Sequence, residues 1–245
     1  MPKLTDKVAI ITGSSRGIGR AIAERLASQG AAVVINYARS EQEAHDVVEG
    51  IHASGGKAVA IQADMSVVAD IRRLFGQTMN ALGRVDIVVN NAGPLLAPKP
   101  IVAITEEEFD HAFAGFARGS FFVMQEGARA VPDGGRIINI SSVVTALLAP
   151  YSAHYAGSKA AMEAFSAVLA AELAPRRITV NVVSPGVVET KMLRGLPKEL
   201  QNMLEQRTPF GVGRPTDIAG LVSFLASEEG QWITNENIRC DGGIR

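Results

Sequence analysis

The chain has 245 residues, 47% hydrophobic and 20% charged, a composition that suits one large domain or two small ones with a sizeable core. Lys plus Arg number 24 and Asp plus Glu 25, a formal net charge of -1; this balance excludes a general attraction for nucleic acid or an anionic membrane, and no Lys/Arg cluster points to a local one. The single cysteine, Cys240, excludes an intramolecular disulfide. With no signal-peptide h-region in "MPKLTDKVAIIT" and no apolar run long enough for a bilayer, the expectation is a soluble cytoplasmic protein.

"KVAIIT" (7–12) reads as a buried strand, and Gly17 to about Gln29 as a helix. The loop between them, "TGSSRGIG" (12–19), carries Gly13, Gly17 and Gly19. Glycines let a backbone turn tightly and approach a pyrophosphate, and the helix behind them offers free N–H groups and a partial positive charge. The spacing differs from G-x-G-x-x-G. A glycine-rich turn without a ligand is the alternative; the strand–loop–helix context favours the phosphate site. "AAVVINY" (31–37) is the second strand and ends in "NYARS". NAD-preferring sites of this type carry an acid here. This chain has Asn36, then Arg39 and Ser40, with Arg16 nearby in the glycine loop, a set that favours the 2′-phosphate of NADPH.

A second helix runs from Glu41 to Ser54, "KAVAIQAD" (57–64) is the third strand, and a helix begins near Ser66. "VDIVVNNAG" (85–93) is the fourth strand, followed by an apolar wall, "PLLAPKP" (94–100). "GRIINISS" (135–142) is the fifth strand and brings Ser141 or Ser142 to the C-terminal edge of a sheet. In "YAGSK" (155–159), Tyr155 and Lys159 share a helix face, with only small residues between them. A free phenol is a weak base at neutral pH, and a neighbouring ammonium favours the phenolate. "ITVNVVSPG" (178–186) is the sixth strand and "ENIRCDGG" (236–243) a short seventh. The Gly- and Pro-rich segment 184–215 lies beyond a strand end, where open α/β sheets bind ligands. Within it, Leu196, Leu200, Met203 and Leu204 form one apolar helical face, either a lid over a partly apolar substrate or a face packed on the core.

Uninterrupted apolar strands alternating with helices predict a single doubly wound α/β Rossmann-type domain over 1–245, with a mostly parallel seven-stranded sheet and helices on both faces. No metal site is expected.

The joint occurrence of "TGSSRGIG", "NNAG" (90–93), Ser142 thirteen residues before Tyr155, "YAGSK", "SPGVVET" (184–190) and "CDGG" (240–243) resembles the short-chain dehydrogenase/reductase family over nearly the whole chain. The likeness is strongest to bacterial 3-oxoacyl reductase-like members. The resemblance implies an NADPH-dependent carbonyl reductase, reversible as an alcohol dehydrogenase, and a homotetramer or dimer paired through the helices at 106–130 and 152–174. Gly115 and Gly119 would let those helices approach closely. Tyr155 would give a proton to the carbonyl oxygen, Ser142 hold that oxygen, and Lys159 bind the nicotinamide ribose and lower the tyrosine pKa. Asp64 would contact adenine, Asn90 the adenosine ribose region, and Thr190 the carboxamide. Gly13, Ser15, Arg16, Gly17, Ile18, Gly19, Arg39, Ser40, Ala92, Gly93, Pro185, Gly186 and Val188 complete the expected NADP(H) site.

Two positions depart from the family pattern. Phe116 stands where the family usually has an asparagine, in "FAGFARGSFF" (113–122), and Asn235 where it often has a glycine. Phe116 supports the alternative of a cofactor-binding regulator or scaffold with weak or no turnover.

Overall fold

Seven parallel strands stack in the order β3-β2-β1-β4-β5-β6-β7 in the computed structural model, which describes residues 4–245; residues 1–3 of the expected domain lie outside the described residues. In chain order the elements are β1 (Val8–Ile11), α1 (Gly17–Ser28), β2 (Ala32–Tyr37), α2 (Glu41–Ala53), β3 (Lys57–Gln62), α3 (Val68–Leu82) and β4 (Ile87–Asn90). Then come α4 (Glu106–Ala112), α5 (Gly119–Ala130), β5 (Arg136–Ile140), α6 (Val144–Leu147), α7 (Ala153–Leu173) and β6 (Thr179–Pro185). The chain finishes with α8 (Lys191–Arg194), α9 (Lys198–Gln206), α10 (Pro215–Ala226) and β7 (Asn237–Cys240).

Every residue of β1, β4, β5 and β6 is buried, as apolar strands covered on both faces must be. Their side chains alternate between two cores. Ala9, Ile11, Val33 and Ile35 pack with α1, α2 and α10; Ile10, Val34 and Val88 pack with α3, α5 and α7. The strand order reverses between β1 and β4, and there the loops after the two strands diverge to open a crevice at the C-terminal edge of the sheet.

The strands are shorter than the apolar runs. β4 ends at Asn90 rather than Gly93, and β3 at Gln62 rather than Asp64, because the parallel ladder stops where its partner strand does. Asn91, Ala92 and Gly93 are thereby released into the crevice loop.

The expected helix at 106–130 is not continuous. A π-helical turn, Phe113–Arg118, separates α4 from α5, and such turns accompany functional sites. Gly115 and Gly119, expected from sequence to let helices approach, are each pressed against atoms of their own chain. A Cβ at Gly115 would come 2.5 Å from Pro94 Cδ, and one at Gly119 would come 2.3 Å from the Met65 carbonyl oxygen. Both glycines answer a packing need within the chain.

Segment 184–215 contains α8 and α9. On the apolar face of α9, Leu200 and Leu204 are half-buried and Met203 is exposed, so the face is not sealed against the core.

Candidate active site

Gly13 and Gly17 have φ of +63° and +57°, backbone conformations that strain any residue with a Cβ. Three polar side chains hold the loop they bend. The Thr12 hydroxyl accepts from the N–H groups of Asn91 and Ala92, both at 2.9 Å. Asn91 Nδ2 donates to Thr12 O and Gly13 O. Asn36 Oδ1 accepts from Gly13 N–H at 3.0 Å, while its Nδ2 donates to Ile61 O and Ala63 O. Asn36, 1% exposed, therefore ties β2 and β3 to the loop. The rim is Arg16, whose Nη1 donates to Ser40 Oγ at 3.3 Å, with the exposed Arg39 beside Ser40.

The first turn of α1 has no capping side chain and no acidic residue. Its N–H groups and partial positive charge are left for an anion, so the residues present fit a dinucleotide pyrophosphate. Gly19 lies under the loop, where a Cβ would come 2.5 Å from Gly13 O. Ser15 is buried and Ile18 packs on the core.

The remaining expected cofactor positions divide. Asp64 Oδ1 accepts from the Ser66 N–H and hydroxyl, at the mouth of β3. Gly17 faces the Thr190 methyl across the crevice, a Cβ there lying 3.7 Å from it. Pro185 ends β6, and Gly186 presses on Asp241, where a Cβ would come within 2.7 Å. Asn90 is different: its amide is buried and donates to Asn139 Oδ1 and Ser120 O. Its side-chain amide is committed to the sheet interior. The Val188 side chain is likewise buried, in the core with α1 and α10.

Ser142, Tyr155 and Lys159 converge where β5 meets α7. Burial pushes the Tyr155 pKa up, opposed by the Ser142 hydroxyl, which acts to lower it. Lys159 is itself stripped of water: burial brings its pKa down to about 7, opposed by the charge of Glu163. Its Nζ donates to Ile140 O at 2.6 Å. Ser141, the alternative hydroxyl, donates instead to Glu163 Oε1.

Phe116 is the hub of this cluster. Its ring lies 4.4 Å from Lys159 Nζ and meets the Tyr155 ring edge-on at 5.2 Å. It also covers Gly93 so closely that a Cβ there would sit 1.8 Å from the ring. At the N-terminal end of α7, a groove of about 420 Å³ runs between Pro100, Ile101, Leu148, Pro150, Tyr151 and Ala156. Leu148 and Tyr151 have left-handed φ of 48° and 65°, strain of the kind that collects at functional loops. Lys99 N–H donates to Tyr151 O and joins the two walls.

Thr12, Asn91 and Glu163 carry structural parts of this site that sequence reasoning missed. The first two lie inside motifs already quoted, and the helical interval from Lys159 was the available signal for Glu163.

The family model described as Enoyl-(Acyl carrier protein) reductase matches residues 13–245. An uncharacterized oxidoreductase of Methylorubrum extorquens is 48% identical over 249 residues, 100% of both chains. The chain belongs to the short-chain dehydrogenase/reductase family. Elsinochrome reductase 1 of Elsinoe fawcettii is 40% identical to this short-chain dehydrogenase/reductase over 98% of the chain and 95% of its own length. The angucycline C-6 ketoreductase LanV, solved with bound NADP, is 39% identical, with 99% of this chain and 96% of that one covered at a TM-score of 0.93. This member of the family is thus an oxidoreductase in sequence and in fold.

Proposed function

We propose that the protein is an NADPH-dependent reductase of a small, partly apolar ketone or 3-oxo compound, with Tyr155 as general acid. The observation that carries this reading is the convergence of Ser142, Tyr155 and Lys159 at one sheet edge beside the glycine loop.

NADPH supplies the hydride when bound, held by the glycine loop and the first turn of α1, with Arg16, Arg39 and Ser40 around the 2′-phosphate. Ser142 and Tyr155 both donate to the substrate oxygen, and Tyr155 gives it a proton as charge develops there. The raised pKa of Tyr155 keeps the phenol protonated for this step. Lys159 orients the cofactor ribose and the phenol. LanV is named a ketoreductase and carries NADP, which supports both the cofactor and the reaction. The groove has no Asp, Glu, Lys or Arg among its described lining residues, which supports an uncharged, partly apolar substrate. Cytoplasmic location and self-association to a dimer or tetramer through α4, α5 and α7 belong to the same reading. Phe121 and Val168 on those helices are 42% and 60% exposed.

A second reading, a cofactor-binding regulator with little turnover, draws on the Phe116 ring packed on Lys159. One experiment separates the two. NADPH consumption is followed with a panel of apolar ketones for the native enzyme and Tyr155→Phe. The expected result is turnover by the native enzyme, a fall of about 10²–10⁴-fold in the variant, and unchanged NADPH binding. A variant within a few-fold of the native rate removes Tyr155 as the acid, and NADPH binding without any turnover favours the regulator.

A further inference from the structure

Lys159 is 4% exposed, and its surroundings can be named group by group. From its own helix come Tyr155 and Glu163, one turn to either side. From β5 comes the Ile140 carbonyl, bonded to Nζ, with the Ser141 and Ser142 hydroxyls following it in the chain. From the π-helical turn comes the Phe116 ring. Among the described residues, Glu163 is the one charged side chain that acts on this ammonium.

Glu163 is also held in place. Its Oε1 accepts from the Ser141 hydroxyl and from the Thr145 hydroxyl, the latter at 2.9 Å. Those donors stand at the end of β5 and in α6, so the carboxylate is fixed from outside its own helix. Being half-buried, it keeps much of its field, because little water screens the space between it and Lys159.

We propose that Glu163 is a positioning residue for the reaction: its fixed negative charge holds the Lys159 ammonium in a pocket that Phe116 makes apolar. An ammonium buried against a phenyl ring gains some cation–π attraction but loses its hydration. A carboxylate one turn away on the same helix face offsets that loss without entering the space beside Tyr155. The inference rests on Lys159 and Tyr155 being the reactive pair described above. It adds that this pair extends along α7 into a stripe of Tyr155, Lys159 and Glu163.

The sign of the effect follows from the charges. Burial drives Lys159 towards the neutral amine and Glu163 opposes it. Removing the charge must lower the lysine pKa further, so the ammonium is lost at a lower pH than in the native enzyme. The reaction then fails earlier on the alkaline side while its acid side is unaffected.

The test is the pH profile of kcat/KM for ketone reduction over roughly pH 6 to 9, in the native enzyme, Glu163→Gln and Glu163→Asp. Glutamine keeps an acceptor for Ser141 and Thr145 but no charge. Its alkaline limb should move down by about one pH unit, giving roughly a ten-fold loss above the limb and near-native activity below it. Aspartate should restore the native limb. The pair Ser141→Ala and Thr145→Val, combined, removes the tie and keeps the charge, and should leave the limb in place even if Glu163→Gln does not fold. An unmoved limb in Glu163→Gln, an equal loss at every pH, or a double variant that reproduces the glutamine loss makes Glu163 a structural tie and overturns the proposal. A native enzyme that reduces no ketone instead defeats the reading on which the proposal rests.

Discussion

At the scale of single residues, Phe116 sets the character of the site. Its ring is 3% exposed and touches Gly93, Tyr155 and Lys159 together. A phenyl ring has no hydrogen-bonding group, so it cannot hold a water on the way from Lys159 to solvent. Phe116→Asn should therefore raise kcat if reprotonation of Tyr155 limits turnover, with NADPH affinity unchanged. The lost burial should lower stability by about 3–5 kcal/mol, as for other large-to-small core changes. A destabilised protein with no gain in rate would reduce Phe116 to a packing residue. Lys159 makes a separate prediction. Its folded pKa is near 7 against an ordinary 10.5, so between those values the unfolded chain binds the extra proton. Stability should then rise with pH across that window, by up to about 1.4 kcal/mol per pH unit from this one group. The burial penalty is complete below the folded value and absent above the unfolded one. Lys159→Met should flatten that slope in melting curves and raise the melting temperature near neutral pH, while abolishing activity.

At the scale of elements, the π-helical turn between α4 and α5 determines where Phe116 points. The sequence reads as one helix there, since "FAGFAR" has nothing that breaks a helix. The extra residue in the turn is accommodated by close contacts of Gly115 with Pro94 and of Gly119 with Met65 O. Gly119→Ala should lower the melting temperature by several degrees and leave the native mass unchanged, because its clash lies within the chain. A shift in mass without a shift in melting temperature would return Gly119 to a subunit interface. Asn235 shows the opposite relation between element and residue. Its φ is +62°, a conformation that explains why family members often have glycine there, and asparagine tolerates it better than other side chains.

At the scale of the whole molecule, the proposed assembly depends on faces that one chain leaves uncovered. Phe109, Phe121 and Val168 are 46%, 42% and 60% exposed on α4, α5 and α7, and Phe121 stacks edge-on with Phe165 across two of these helices. Light scattering at micromolar concentration should give the mass of a dimer or tetramer, and a monomeric mass would sink the proposal. The sequence by itself determined the strand order along the chain, the doubly wound class and the family, because buried parallel strands and glycine turns are local patterns that survive without their neighbours. It also marked Ser142, Tyr155 and Lys159, whose helical and strand-end spacing is local as well. Only the tertiary structure decided what surrounds them. That Asn36 and Asn90 face inward, that burial raises the Tyr155 pKa, and that Glu163 faces Ser141 and Thr145 all depend on residues far apart in the chain. Desolvation and close packing are properties of the assembled interior, and no stretch of sequence carries them alone.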